Sequence, residues 1–518
     1  MVQGLYIGKN ALMVNQAALT VVSNNIANAN TIGYSKQRVN LVSMQDGSIA
    51  SNALQQAKLG YGVDIESITR YRDSFIDSYY RNAVSSQAYY QTISEQGLAM
   101  ENLANEFSGS GLSSYMNSFF AAANNVSLYP TDITMKTDFV QQASNLANAI
   151  NNIATQLQET RTNLVGDVNN PVTLNTSEAK VTADEINQLL NDIATINETI
   201  IYQHNSNVGA SSGILDQRDA MLDELAQYIP ITVDENANGG VNVSLGSVQL
   251  VGGTNVKGEF KINLGDNNNP TVISFENSDG YVYSRNIKDL VGDQGKLGAI
   301  LTLGGNSNSE VTVKSMLDNL NLVANEFAKQ INNIQLKNEA GPPPMTSAYY
   351  DAASGELKNA QDAIFIPNDG ASRITAFNIT VNQAILNNPH KIATAYVQHN
   401  GDAAQTITNP TEIGNNYGAQ AMADLRLESI VALNGQTFED FNTSITSEFG
   451  AKLSSAKTNL ETQDAVYQSA FEQRESTIGV NIEEELIDLV KYQRAYESSA
   501  RVFTVANEIL QTLVSLGR

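Results

Sequence analysis

GVNIEEELIDLVKYQRAYESSARVFTVANEILQTLVSL, residues 479–516, decides how this chain is built. It reads as one uninterrupted helix. Gly479 ends whatever precedes it, Asn481 offers a side-chain cap, and Glu484 stands where a capping box would place its carboxylate. Glu483, Glu485 and Asp488 put negative charge at the end of the helix where the backbone dipole favours it. No Pro or Gly follows before Gly517, so at about 1.5 Å per residue the rod runs about 50 Å. Ile482, Leu486, Leu489, Tyr496, Ala500, Phe503, Leu510 and Val514 recur at steps of three, four or seven, the pattern of a coiled-coil seam that needs a partner. A second apolar line, Val502, Val505, Ile509, Leu513 and Leu516, is confined to the later half. That end is expected to be buried from several sides.

The opposite end of the chain supplies one partner. Leu5, Gly8, Leu12, Asn15, Leu19, Val22, Ile26 and Ala29 again step by threes and fours, and NANTIGYSKQ at 28–37 then ends the helix with Asn and Gly. Two complementary seams therefore sit at the two extremities. What they bury against each other does not outweigh the entropy of ordering both ends and closing most of the chain between them. The termini are expected to be marginal in a lone chain and firm once neighbouring copies bury the rest, which is the wiring of an assembly subunit.

With 518 residues the chain is long enough for several domains with real cores. Its net charge of -24, from 30 basic against 54 acidic residues, argues against nucleic acid as a partner. The absence of cysteine removes disulfides and thiolate metal sites. The amino-terminal segment lacks a basic region and is interrupted by Asn10, Asn15 and Gln16, so it is not expected to be a cleaved signal peptide. Nowhere does an apolar run reach membrane-spanning length, so membrane insertion is not expected.

Helical texture dominates from about Ser74 to Ile229. It includes DSFIDSYYRNAVSSQAYY, a glycine-rich break at SGSGL, a helix stopped by Pro130, a long helix marked by Phe139, Leu146, Ile150, Ile153, Leu157 and Leu164, a turn at Pro171, and GILDQRDAMLDELAQYI stopped by Pro230. From Ile231 the period changes to two, with closely spaced Gly, Asn and Asp turns, as antiparallel strands require. Helix returns at 315–337, GPPP at 341–344 is a stiff connector, and 345–412 is β-rich, with FNITVNQAIL as its clearest strand. The expected fold is α+β and multidomain. Residues 1–45 with 478–518 form a terminal coiled-coil polymerisation domain, and 46–230 with 311–340 and 413–477 a long-helix bundle. Segments 231–310 and 341–412 are outer antiparallel β inserts.

Chemistry-bearing residues are sparse. His204, His390 and His399 are scattered, without zinc-ligand spacing. DENANG at 234–239 begins like a calcium loop but has Leu245 where the bidentate Glu belongs, and reads as a hairpin turn. Asp216, Asp219, Asp223 and Glu224, with Arg218 among them, are read as the solvated face of a helix whose apolar face is Leu215, Leu222 and Leu225. No glycine-rich phosphate loop is present. Catalytic, cofactor-binding and metal sites are all expected to be absent.

SNNIANANTIGYSKQ at 23–37 resembles the amino-terminal signature shared by the axial proteins of the bacterial flagellum, and the 479–516 rod resembles their carboxy-terminal signature. Within them, SSGILDQRDAMLDELAQYI at 211–229 with the following ITVDENANGGVNVSLG, and LDNLNLVANEFAKQINNIQLKN at 317–338, resemble the hook-associated protein 1 family. GPPPM departs from the Asp-Leu-Asn-Gly type of turn found more often there. The resemblance implies a non-catalytic, exported subunit that polymerises between hook and filament. Its partners would be its own copies in a ring or short tubular layer, hook protein on one side, hook-associated protein 3 on the other, and a dedicated export chaperone. Leu5, Leu12, Leu19, Val22, Ile26, Ile482, Leu486, Leu489, Tyr496, Phe503, Leu510 and Leu513 would build the interface, and Asn25, Asn28, Asn30, Gly33 and Tyr34 the signature turn. A hook or distal-rod subunit is the alternative, disfavoured by the LDQRD helix; an axial protein carrying an enzymatic insert, or a coiled-coil adaptor, is a further one.

Overall fold

A computed structural model of the chain describes residues 2–31, 33–44, 62–105, 111–167, 170–206, 210–264, 271–277, 279–284, 286–305, 312–339, 345–351, 356–398 and 414–516. The GPPP connector, His399 and most of the SGSGL break lie outside them. α1 (Val2–Ala27) leads into a two-stranded antiparallel hairpin, β1 (Gln37–Ser43) and β2 (Val63–Arg70), paired Val39 to Ile68 and Leu41 to Ile65 across a bulge.

The bundle follows with α2 (Ser74–Asn105), α3 (Leu112–Leu128), α4 (Ile133–Val165), α5 (Pro171–Thr176), α6 (Glu178–Asn205) and α7 (Ser212–Tyr228). Pro171 opens a helix instead of making only a turn: its missing N–H falls at a position with no intrahelical acceptor, and Asn170 caps that end by accepting from Val172 N. In α4, Phe139, Leu146, Ile150, Ile153, Leu157 and Leu164 are all buried, as their spacing requires.

β3 (Thr232–Glu235), β4 (Val241–Leu245), β5 (Val248–Gly252) and β6 (Asn255–Val256) make a four-stranded antiparallel meander, with the DENANG turn as its first hairpin. β7 (Glu259–Leu264), β8 (Thr271–Glu276) and β9 (Val282–Ser284) make a three-stranded one. Asparagines of α6 hold these sheets by their backbone: Asn197 Nδ2 donates to Val241 O (2.9 Å) and Gly253 O (2.7 Å), and Asn187 Oδ1 accepts from Phe260 N (2.8 Å).

The segment 231–310, expected to be a β-rich insert, also contains α8 (Lys288–Val291) and α9 (Gly295–Gly304). α9 is buried on every side, including Leu297, Ala299, Ile300, Leu301 and Leu303, and packs against α2, α4, α6 and α7. A helix apolar all round shows no amphipathic period, and its glycines mask it further.

α10 (Val313–Gln335) precedes the second β region: β10 (Asn338–Glu339), β11 (Met345–Asp351), β12 (Glu356–Asn359), β13 (Phe365–Pro367), β14 (Ile379–Val381), α11 (Gln383–Asn387) and β15 (Ala395–Gln398). β11 pairs with β10, β12 and β15, while β13 pairs with β14. The strand expected at FNITVNQAIL is only Ile379–Val381, because Asn382 accepts from Ala384 N and starts α11. α12 (Tyr417–Asp424) leads to α13 (Phe438–Ile478) and α14 (Ile482–Leu516).

One core spans these pieces. Phe119, Phe139, Phe327, Phe365 and Phe438, from α3, α4, α10, β13 and α13, meet ring to ring, with Phe119 to Phe327 at 5.1 Å and Phe327 to Phe438 at 5.3 Å. α13 runs antiparallel to α2, matching Tyr467 with Tyr80 (5.8 Å) and Asp464 with Gln87 (2.7 Å). Both helices lead back to the terminal helices.

Candidate assembly interface

α1 and α14 pair antiparallel. Gly8 lies against Phe503, Asn15 Nδ2 donates to Ser499 Oγ (3.3 Å), and Asn25 Nδ2 donates to Glu485 Oε2 (2.9 Å). A Cβ on Gly8 would stand 3.2 Å from Phe503 Cα, so the glycine sets how closely the helices approach.

The buried line of α1 is rotated from the expected one. It runs through Val14, Ala18, Val21, Val22 and Asn25, while Leu5, Leu12, Leu19 and Ile26 are half-buried. The cause is the β1–β2 hairpin, which packs on α1 beside α14, so that Ala18, Val21 and Val39 form a small core with Ile65 and Tyr492. The rod alone does not bury α1; a three-sided groove does.

On α14, Leu489, Phe503 and Leu510 are half-buried, but Ile482, Leu486 and Tyr496 are exposed at 43%, 48% and 37%. The side chain of Leu513 lies outside the described residues. Ile487, Val490, Val502, Val505 and Ile509 are exposed as well, so much of the rod's apolar surface has no cover within one chain. Exposed apolar side chains in this number along one helix mark an interaction surface.

The signature turn is a polar interlock between the two ends of the chain. The Asn25 side chain accepts from Gln37 N (3.0 Å) and from the Tyr34 hydroxyl (2.8 Å), and donates to Gln37 O (3.0 Å) besides Glu485. Glu485 is 2% exposed and also faces Lys36 Nζ at 3.0 Å. Burial, with Asp216 and Glu485 nearby, pushes the Tyr34 phenol up to about 12. Lys36 is raised, its carboxylate bonds to Glu485 and Glu484 overcoming the burial that alone would lower it. Asn481 caps α14 by accepting from Glu483 N (3.0 Å). The expected return bond from Glu484 is absent; its carboxylate accepts from Lys36 Nζ (3.2 Å). Gly33 has φ +83, as the turn demands, Asn28 Nδ2 donates to Asn24 O (2.9 Å), and Asn30 is exposed.

Below this turn lies a buried charge cluster that corrects the reading of the LDQRD helix as a solvated face. Asp219 is 5% and Arg218 3% exposed. Arg70 reaches Asp216 (2.6 Å) and Asp219 (2.9 Å), Arg72 reaches Asp77 (2.8 Å) and Asp219 (3.0 Å), and Arg81 reaches Asp223 (2.8 Å). Arg474 of α13 reaches Asp223 (2.7 Å) and lies 4.4 Å over the Tyr80 ring. Ser35 Oγ donates to Asp216 (2.8 Å) and ties the signature turn to the cluster. Burial by itself would raise Asp219; Arg72, Arg218, Arg70 and Arg81 together hold it down at about 2.

A cavity of about 540 Å³ opens beside the cluster, between the signature turn, α7 and the end of α13. Among the described residues no group of His, Cys, Asp or Glu is placed to hold a metal ion, and no helix is long and apolar enough to cross a membrane. The cluster's Asp216, Asp219 and Asp223 carboxylates are taken up by guanidinium groups.

Lys36, Arg70, Arg72, Arg81 and Arg474 escaped the sequence reading, and Glu485 enters it only as a charge favoured by the helix dipole. A signal existed for some of them. Asp219 stands in line with Leu222 and Ala226, and Arg474 with Ala470 and Ile478, so each charge sits inside an apolar stripe.

Three family models match the chain: "Flagellar hook-associated protein FlgK helical domain" over residues 98–338, "Flagellar basal body rod FlgEFG protein C-terminal" over 474–516, and "Flagella basal body rod protein" over 5–34. Flagellar hook-associated protein 1 of Bacillus subtilis is 26% identical across 99% of this chain and 97% of its own length. Its Salmonella typhimurium counterpart is 24% identical across 97% of each. The structure of the flagellar hook junction protein FlgK from Burkholderia pseudomallei superposes with a TM-score of 0.57 at 13% identity, covering 77% of this chain and 100% of that one, which shows a shared fold. With the terminal signatures joined in one interlock and relatives matching over nearly the whole length, the chain is similar throughout to the flagellar hook-associated protein 1 family.

Proposed function

We propose that this chain is a structural subunit of the bacterial flagellum that polymerises at the hook–filament junction and joins hook to filament. The observation that carries this is the pairing of α1 with α14: both ends of the chain meet in one module, and that module leaves a long apolar face on α14 uncovered. Copies of the chain packed around a common axis would bury that face, one rim of the layer meeting hook protein and the other hook-associated protein 3. Export with the help of a dedicated chaperone suits a chain free of cysteine whose termini are completed on assembly.

Catalysis forms no part of this function. Asp216, Asp219 and Asp223 are consumed in ion pairs, and the module they support is mechanical. Cells lacking the chain are expected to carry hooks without filaments in negative stain, and to shed filament protein into the medium. Normal filaments on such cells would overturn the proposal, and absence of hooks would point to the hook or rod alternative.

A further inference from the structure

The cavity between the signature turn, α7 and the end of α13 is lined by groups of uneven charge. Asp223 is neutralised there by Arg81 and Arg474. Glu224 and Glu475 also line it, both exposed and without a cationic partner among the described residues. Phe471, 39% exposed, lines the same wall. Two unopposed carboxylates beside an exposed ring suit a guanidinium, which pairs with the acids and stacks on the ring.

The chain carries such groups on the face it leaves uncovered. Arg494 and Arg501 are exposed on α14, one heptad apart, with no carboxylate partner among the described residues. Exposed Ile487, Val490, Val502 and Val505 flank them. They cannot reach the cavity of their own chain: Arg494 lies about 20 Å along the helix from Val480 at the cavity edge, at about 1.5 Å per residue.

We propose that this cavity receives the Arg494–Arg501 face of α14 from a second copy of the chain, so that each copy's terminal rod docks against its neighbour's joint between terminal module and bundle. The inference rests on self-assembly through the terminal helices and goes further by naming the surface that receives them. The contact is heterologous, one patch meeting a different patch, and therefore suits a ring or helical layer.

The chain's lack of cysteine makes the test clean. Two forms are co-expressed in cells lacking the native chain, one with Gln227→Cys in the cavity wall and a size tag, the other with Arg494→Cys. Purified hook–filament structures are then oxidised. A mixed disulfide dimer is expected, dependent on both cysteines. Incorporation of both forms into flagella without mixed dimer would overturn this inference and leave the assembly reading standing; wild-type chain absent from flagella altogether would overturn the assembly reading itself. In parallel, Arg494→Glu with Arg501→Glu should reduce filament-bearing cells by about tenfold or more, and adding Glu224→Arg with Glu475→Arg in the same chain should restore them. Loss without restoration, in chains that fold and are exported normally, would also count against the docking.

Discussion

Asn25 shows how one polar side chain can fix the register of a helical pair. It lies in the buried line of α1, where an apolar residue would pack equally well in several registers, and its amide is matched by Glu485, Tyr34 and Gln37. Asn25→Ala leaves the Glu485 carboxylate and the Tyr34 hydroxyl short of a partner, at a cost of about 1 to 3 kcal/mol. In assembled hook–filament structures, hydrogen exchange of α1 and the start of α14 should quicken together, while α4 and α10 are unaffected; equal exchange in assembled variant and wild type would mean that the interlock contributes nothing. Asp219 makes a second prediction at this scale. Its carboxyl titrates at about 2 in the folded chain, below the ordinary value of about 3.9. Its contribution is therefore complete above pH about 4 and is lost as pH falls through the folded value, and linkage sets it at about 2 to 3 kcal/mol. Asp219→Asn should lower the neutral-pH melting temperature and flatten its fall between pH about 4 and 2. An unchanged acid limb would show that the guanidinium groups around Asp219 do not act on it.

At the scale of elements, legibility followed periodicity. α4 and the α7 helix were readable because their apolar spacing is regular, and the terminal rod was readable from its caps and length. α9 was not, since a helix buried on all faces carries no pattern of alternation. The buried line of α1 was misplaced by a partial turn because its position depends on the β1–β2 hairpin, whose packing no local pattern announces. The charge cluster was hidden for a related reason: acids at 216, 219 and 223 look solvated until Arg70, Arg72, Arg81 and Arg474 arrive from other elements. The same logic changes what removal of the second β region should do. Read from the sequence, 345–412 belongs to an outer β-rich insert, and replacing it with a short loop spares junction assembly more than a terminal change does. In the structure, Phe365 of β13 packs 5.7 Å from Phe327, and Asn332 Nδ2 of α10 donates to Phe365 O (2.7 Å). Replacing the segment with a short loop should lower the bundle's melting temperature by uncovering this core, as other large losses of buried aromatic surface do. An unchanged melting temperature would return β13 to the status of a decoration.

The whole molecule divides its stability unevenly. The bundle and its sheets share one closed aromatic core, whereas the terminal module rests on a narrow groove, an interlock of a few polar groups and a rod whose outer face is bare. Such a division suits a subunit that must fold its body alone and complete its ends only among neighbours. Both chain ends and the joint that holds them are thus parts of one device, and the central claim is that assembly supplies the burial the single chain lacks. Hydrogen exchange read by mass spectrometry on the free chain and on purified hook–filament structures tests it most directly. Residues 2–27 and 482–516 should exchange rapidly in the free chain and be strongly protected after assembly, with α4, α6 and α10 protected in both. Terminal helices as well protected in the free chain as in the flagellum, or unprotected in both, would contradict it.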